Sequence, residues 1–345
     1  MLSVATTLVT GYLTPPSTLL IHIYAGVVIA CLIGARLIWG FTGTRTSRFS
    51  SFPPAIGRGL AELWSALRGQ LAHRTAGHNP AGALMVYALL ALLLAMLATG
   101  LAAYGGKEKA GPLAAFLTFD RGQVAKRLHS LSGYGLLGLI AAHLAGVVAS
   151  SLAERQNLVR PMLTGWKRVT APSQPLRARP LTALALIGLA GAAGSALWAR
   201  GAALPGLGAG PIHKLAAYEK ACGDCHMAFP PVLLPRASWA ALMAHPDDHF
   251  GEDATPDPQD AAAIAAYLQQ NASETSDLKA ANYFRTVSAS LPTRITATPR
   301  WIRIHHDLPS DLFKSKPVGS PANCAACHQD AATGRFAKSS IDVPH

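Results

Sequence analysis

"HSLSGYGLLGLIAAH", His129 to His143, sets two histidines 14 residues apart at the ends of an apolar stretch. At 100° per residue they differ by about 40° around a helix and so lie on nearly one face. At 1.5 Å per residue they are about 21 Å apart along the axis. A histidine inside an apolar span is costly and usually functional. This spacing suits two flat metal-bearing groups stacked beside one helix, one near each surface of a bilayer. The plainer alternative is histidines hydrogen-bonded to neighbouring helices. A third, His22, occupies another apolar run, and Gly26, Gly133 and Gly146 each follow one of the three by three or four residues. A missing Cβ one turn away lets a macrocycle approach, or simply another helix.

Four apolar runs of this kind are present, at 18–40, 82–104, 130–152 and 181–199. Each is long enough for a hydrocarbon core of about 30 Å. Half of the 345 residues are hydrophobic and 14% are charged, which is low for a soluble protein. Residues 1–204 hold 18 Lys and Arg against 4 Asp and Glu, a net of +14; residues 205–345 hold 12 against 14, a net of −2. The basic excess therefore belongs to the membrane part, where it faces anionic headgroups. Aromatic–basic repeats that would stack bases are lacking, so nucleic acid is not an expected partner. Residues 1–10 have no basic n-region or clear cleavage site, which leaves the last apolar run as an uncleaved anchor for the C-terminal part.

After residue 205 the chemistry changes. Of five cysteines, Cys31 lies in the first apolar run and reads as a small buried hydrophobe. The other four form "CGDCH", Cys222 to His226, and "CAACH", Cys324 to His328. Zinc sites and dithiols use C-x-x-C without requiring the adjacent histidine. Covalent c-type haem requires it: two thiols form thioethers and the next residue supplies the proximal imidazole. Two copies that use every cysteine outside the spans favour haem over zinc or disulfides. The proximal ligands are then His226 and His328. The sixth positions have candidates in His213, His245, His249, His305, His306, His345, Met227 and Met243; Met227 directly follows a proximal histidine and is badly placed to reach the opposite face.

Haem c attachment takes place outside the bacterial inner membrane, so 205–345 is expected in the periplasm. The run at 181–199 then passes outward, and the loop 153–180, with Arg155, Arg160, Lys167, Arg168, Arg177 and Arg179, is cytoplasmic, as the positive-inside rule expects. The loop 41–81 is cytoplasmic too, although the outer loop 105–127 is also basic, so charge alone decides weakly. This topology puts His129 and His22 near the outer face, able to share one b-type haem. His143 lies near the inner face without a partner; His78 in "GHNP" is on its side but at a helix entrance.

The stretches "HIYAG", "RLIWGFTG", "RFSSF", "GHNPAG", "LHSLSGYGLLGLIAAHLAG" and "NLVRPMLTGWKR" resemble the bacterial cytochrome b561 family, which includes the b-type subunit of nickel hydrogenases. The resemblance covers about 1–170. It implies a four-helix bundle with two b haems and makes His22, His129 and His143 haem ligands. The family has one more helix upstream, with a histidine near its cytoplasmic end. Here only "MLSVATTLVTGYLT" precedes His22, so the first helix reads as truncated and one or two b haems are expected. "CGDCHMAFPPVLLPRASW", "HFGEDA", "AAIAAYL", "NCAACHQDAATGRF" and "DVP" resemble the di-haem cytochrome c family over about 210–345. That resemblance implies His249 and one of His305 and His306 as distal ligands.

The expected architecture is mainly α. A transmembrane haem bundle (1–170) is followed by a linker with an anchor (171–208) and a small, loop-heavy periplasmic di-haem domain (209–345). The linker "GAALPGLGAGP" would let that domain dock on the bundle or reach a partner. The expected function is membrane-bound respiratory electron transfer between the quinone pool and a periplasmic acceptor. Alternatives are flow in reverse from a periplasmic donor, a haem oxidoreductase with an open iron, and a hydrogenase-type anchor subunit. No catalytic side chain is expected.

Overall fold

Every long apolar run is a helix in the computed structural model, which describes residues 16–45, 47–68, 79–154, 157, 159–160, 180–210 and 212–344. The helices are α1 (Pro16–Thr42), α2 (Ile56–Leu67), α3 (Pro80–Glu108), α4 (Phe119–Glu154), α5 (Pro180–Ala202), α6 (Ala216–Cys222), α7 (Arg236–Ala244), α8 (Pro258–Gln270), α9 (Lys279–Phe284) and α10 (Pro299–His305). Among the described residues there is no strand, only isolated bridges at His249–Glu252 and His328–Ile341. Helices α1, α3, α4 and α5 are long and apolar enough to cross a membrane. On α5, Leu181, Leu184, Leu189 and Leu197 are 64–80% exposed, a surface suited to hydrocarbon rather than water. The chain is a multi-pass membrane protein. His78, His345 and residues 1–15, which hold all of the expected remnant helix, lie outside the described residues, as does most of the basic loop after α4.

The described residues group into two compact units that interleave along the chain. The first takes Ile23–Gly100 and Lys126–Leu197. Within it the "RFSSF" motif makes an aromatic knot: Phe49 packs on Phe41, Phe52 and Tyr87 with ring centres 5.4–5.9 Å apart, and Arg36 lies 4.9 Å over the Phe49 ring. The "NPAG" motif starts α3. Asn79 Oδ1 accepts from the Gly82 amide at 2.7 Å, and Pro80 stands first in the helix, where its missing N–H costs nothing. Any Cβ at Gly82 would come within 2.6 Å of that oxygen. Glu62 of α2 ties the same corner by accepting from Asn79 Nδ2 and the Ala81 amide. Helix α2 is an addition to the expected architecture, in which 41–81 is a loop. Its exposed Ile56, Leu60, Leu63 and Trp64 follow the i, i+4, i+7, i+8 pattern of a helix lying at a membrane surface.

Among the described residues, the second unit holds 16–22, Leu101–Ala125 and those of 198–344. It thus joins the end of α3, the start of α4 and the end of α5 to the whole thiol-bearing module. Helix α4 starts at Phe119, well before the apolar run at 130, and its 36 residues span about 54 Å. That exceeds the hydrocarbon core, so its polar first turns, "FDRGQVAKR", extend beyond the apolar layer. The module's core is built by Tyr218, Leu233, Leu234, Trp239, Ile264 and Leu268, with Ala280 and Phe284 from α9. Its buried polar tips are satisfied: Trp239 Nε1 donates to the Pro231 carbonyl and the Tyr218 hydroxyl to the Phe229 carbonyl, both at 2.7 Å.

Candidate haem-binding sites

The histidine after each thiol pair faces a second histidine from elsewhere in the chain. Cys222 closes α6, and the loop after it carries Cys225 and His226. The His226 ring centre is 6.2 Å from that of His249. His249 is held by a tight turn. Its amide donates to the Glu252 carbonyl at 2.8 Å, and Phe250 and Gly251 between them both take positive φ, as the two-residue turn of a hairpin requires. At the second site Cys324 opens a single 3-10 turn, and the His328 amide donates back to the Cys324 carbonyl at 2.8 Å. The tail pins this loop, with Asp342 N donating to the Cys327 carbonyl at 2.8 Å. The ring centre of His328 is 6.3 Å from that of His305, the last residue of α10.

These separations test the fit of an iron. Metal–imidazole bonds of about 2 Å, with roughly 1.1 Å more to each ring centre, set two rings that share an ion a little over 6 Å apart. Both pairs meet that requirement. The tautomers agree with it. Carbonyl oxygens only accept, so Nδ1 of His226, 2.8 Å from the Met227 carbonyl, and Nδ1 of His305, 2.8 Å from the Trp301 carbonyl, carry the protons. Nε2 is left bare in each, the form that binds a metal. His328 Nδ1 and Asp330 Oδ1 are buried without a partner. All four module thiols are free. Among the described residues no group of three or more His, Cys, Asp or Glu is arranged to hold an ion without a porphyrin.

The geometry separates the two adjacent candidates on α10. His305 stacks on Trp301 at 4.4 Å and lies 6.3 Å from Phe313. His306 is exposed, and its Nε2 pairs with Asp307 at 2.9 Å. Neighbours along a helix differ by 100°, so only one of them can face Cys324–His328. His213 and His245 are exposed, and Met243 packs on the module core. Burial pushes His249 below the ordinary imidazole value, helped by the charge of His226. Burial also lowers His305, against the Trp301 hydrogen bond, and lowers His328. Cys324 is pushed up to about 11 by burial, so before thioether formation it is a neutral thiol.

In the membrane helices His129 is fixed against α3. Its Nδ1 donates to the Met96 carbonyl at 3.0 Å, with Thr99 Oγ1 3.4 Å away. Gly100 makes room: a Cβ there would come within 3.1 Å of the ring. As in the module, the backbone bond puts the ring proton on Nδ1. His129 and His143 fall in the first unit and His22 in the second.

Comparison with known proteins assigns both parts. Residues 1–165 match the prokaryotic cytochrome b561 family, and residues 218–336 match the dihaem cytochrome c family. The chain joins a cytochrome b561-like part to a dihaem cytochrome c-like module. A probable Ni/Fe-hydrogenase B-type cytochrome subunit of Azotobacter vinelandii is 27% identical over 159 residues, which cover 42% of this chain and 66% of that relative. The solved structures of dihaem cytochromes c from Shewanella baltica and Rhodobacter sphaeroides are 35% and 36% identical. They match over 37% of this chain, with TM-scores of 0.30 and 0.32, and over 92% and 100% of their own chains. A b561–dihaem c fusion is a membrane electron-transfer cytochrome carrying b- and c-type haem.

Proposed function

We propose that this cytochrome fusion carries electrons between the quinone pool and a periplasmic protein, quinol being the donor. The observation that carries the reading is the pair of facing histidine couples, His226/His249 and His328/His305, each on its own C-x-x-C-H loop. Cys222 and Cys225 would hold one c haem and Cys324 and Cys327 the other. His22 and His129 would hold the outer b haem, and His143 would serve an inner one. Each haem, when bound, supplies a one-electron couple.

The side chains hold those groups and set their potentials. Two imidazoles per iron favour a lower potential than a His/Met set. The Met96 and Trp301 carbonyls fix tautomer and ring direction at His129 and His305. Stacking by Trp301 and Phe313 shields His305 from water. Two histidines would hold each c-type iron, which would suit electron transfer rather than substrate binding at the metal. Thioether attachment of haem c, a chemistry of the outer side, supports a periplasmic module, with the membrane part in the bacterial inner membrane. Redox titration of membranes, followed at the b and c absorption bands, tests the direction. Potentials of the c haems near or above that of the quinone are expected. Values far below it would rule out flow from quinol to the periplasm.

The similarity of residues 1–165 to a hydrogenase cytochrome subunit supports a second reading, in which a periplasmic donor feeds electrons through the c haems into quinone. Reduction of the b haems on addition of a reduced, membrane-impermeant donor to the outer face, faster than any reverse step, would favour it.

A further inference from the structure

The second unit contains a joint that neither family assignment explains. Lys109, just past the end of α3, has a side chain only 1% exposed. Its Nζ donates to Asp277 Oδ2 at 2.5 Å and to the Leu117 carbonyl at 2.9 Å. The same Asp277 oxygen accepts from the Phe119 amide at 2.8 Å, the first residue of α4. Asp277 Oδ1 accepts from Asn282 Nδ2, and the Asp277 amide donates to the Gly208 carbonyl at 2.7 Å. The Asp277 carboxylate thus binds the turn between two membrane helices and α9 of the module, and its backbone amide binds the segment after α5. Lys279 adds a partly buried pair with Glu108 at 2.5 Å. Leu207 N donates to the Ala114 carbonyl, and Gln123 Nε2 to the Tyr283 hydroxyl. Lys109 takes positive φ, which a lysine adopts only when its surroundings require it.

The joint leads to one of the two sites in particular. Tyr283 packs edge-on against Phe119 at 5.1 Å, and the Arg300 guanidinium lies 3.7 Å over the Tyr283 ring; the next residue, Trp301, stacks on His305. Arg335 Nη2 donates to the Lys109 carbonyl at 2.9 Å, and the next residue, Phe336, lies 5.1 Å from the His328 ring. Both histidines of the His305/His328 couple therefore connect to the α3–α4 turn within a few packed side chains. The His226/His249 couple packs on Phe229 and Phe250, and Phe250 in turn lies under Arg294.

We infer that electrons cross between the membrane helices and the module at the His305/His328 site, over a joint locked by Lys109 and Asp277, and that the His226/His249 site is the outer one. In each crossing the b site on the membrane side gives up one electron and the His305/His328 site gains it. No atom is transferred. Lys109 and Asp277 are positioning residues: they set the distance without touching a haem. The segment after α5 is accordingly clamped and not a free tether. This inference rests on the haem ligation proposed above.

The test uses purified full-length holoprotein in detergent, reduced with a quinol analogue and followed by rapid-scan absorbance. Asp277→Asn and Lys109→Met are each expected to raise amide hydrogen exchange at 109–119 and 277–285. Each should slow the b-to-c step by about tenfold or more, since small misplacements are expensive in rate, while the c-haem spectra and potentials stay at parental values. Loosened exchange with a parental b-to-c rate would overturn the positioning role. The order of sites is read from ligand variants: His305→Met should shift the first c-haem phase and His249→Met the second. The reverse assignment would overturn the order. Should a ligand variant lose its haem, loss at Cys324/Cys327 should strand the other c haem oxidised; its reduction at the parental rate would overturn the order. If the parent protein passes no electrons from b to c, the proposed function fails and this inference with it.

Discussion

His305 and His306 stand side by side in the sequence, and the packing around α10 separates them. Removing the imidazole that faces His328 should leave one iron short of a ligand. His305→Ala is therefore expected to convert about half of the c-type absorbance to a high-spin form, and His306→Ala to leave the spectrum low-spin. Electron paramagnetic resonance of the ferric protein checks both. Burial lowers His249 and His305 from an ordinary value of 6.5. A lowered folded-state value favours the neutral ring, so this stabilisation is present above the unfolded value and lost as pH falls through the folded one. In chain made without haem attachment, the denaturant midpoint followed by tryptophan fluorescence is expected to be lower at pH 5 than at pH 7. Cys324, pushed up to about 11, is a poor nucleophile at neutral pH. In chain made without haem attachment, iodoacetamide at pH 8 should label the exposed Cys225 well before Cys324.

Helix ends carry much of the functional geometry. Thr298 starts α10: its buried hydroxyl accepts from the Trp301 amide and donates to the Ile295 carbonyl. Thr298→Ala should cost about 1 kcal/mol, the usual loss for a cap, and loosen the Trp301–His305 stack. Thermal melts read the first effect and the Soret band the second. The α3–α4 turn should respond asymmetrically. Asp277→Asn leaves the Lys109 cation buried and unpaired, a loss of about 3 kcal/mol. Lys109→Met leaves Asp277, 27% exposed in its side chain, still bonded to the Phe119 amide. That variant should lose less, about 1–2 kcal/mol by the cost of one charged hydrogen bond. The two melting temperatures compare them directly. The long helices were legible in the sequence, because a bilayer demands long apolar runs whatever their neighbours. Helix α2 was legible only in retrospect: its apolar stripe is short, follows Pro53-Pro54 and lies between two strong spans. The early start of α4 was hidden because its first turns are polar and carry no hydropathy signal.

For the whole molecule, the two C-x-x-C-H loops were readable because thioether chemistry fixes their spacing along the chain. Which histidines face these loops was readable only through family resemblance, since His249 and His305 reach His226 and His328 through folding rather than through local spacing. The Lys109–Asp277 joint was not readable at all. It joins residues 168 apart in sequence, and no periodicity or motif marks a lone lysine in a loop as buried. These scales fit one account, in which the chain is a conductor with fixed sites. On the proposed reading the helices would carry the b-type ligands, the module would carry two c-type sites, and the helix ends would hold the module in place. Pyridine haemochrome analysis should find two c haems per chain, and the accompanying b count reads whether His143 holds a haem beside the His22/His129 site. The most direct test is rapid-scan absorbance of the purified protein after mixing with a quinol analogue. The account expects the b-type band to be reduced first and both c-type bands to follow, with the c phases abolished in His129→Ala. A c module that stays oxidised while the b band is fully reduced, or that is reduced at the parental rate without His129, would contradict it.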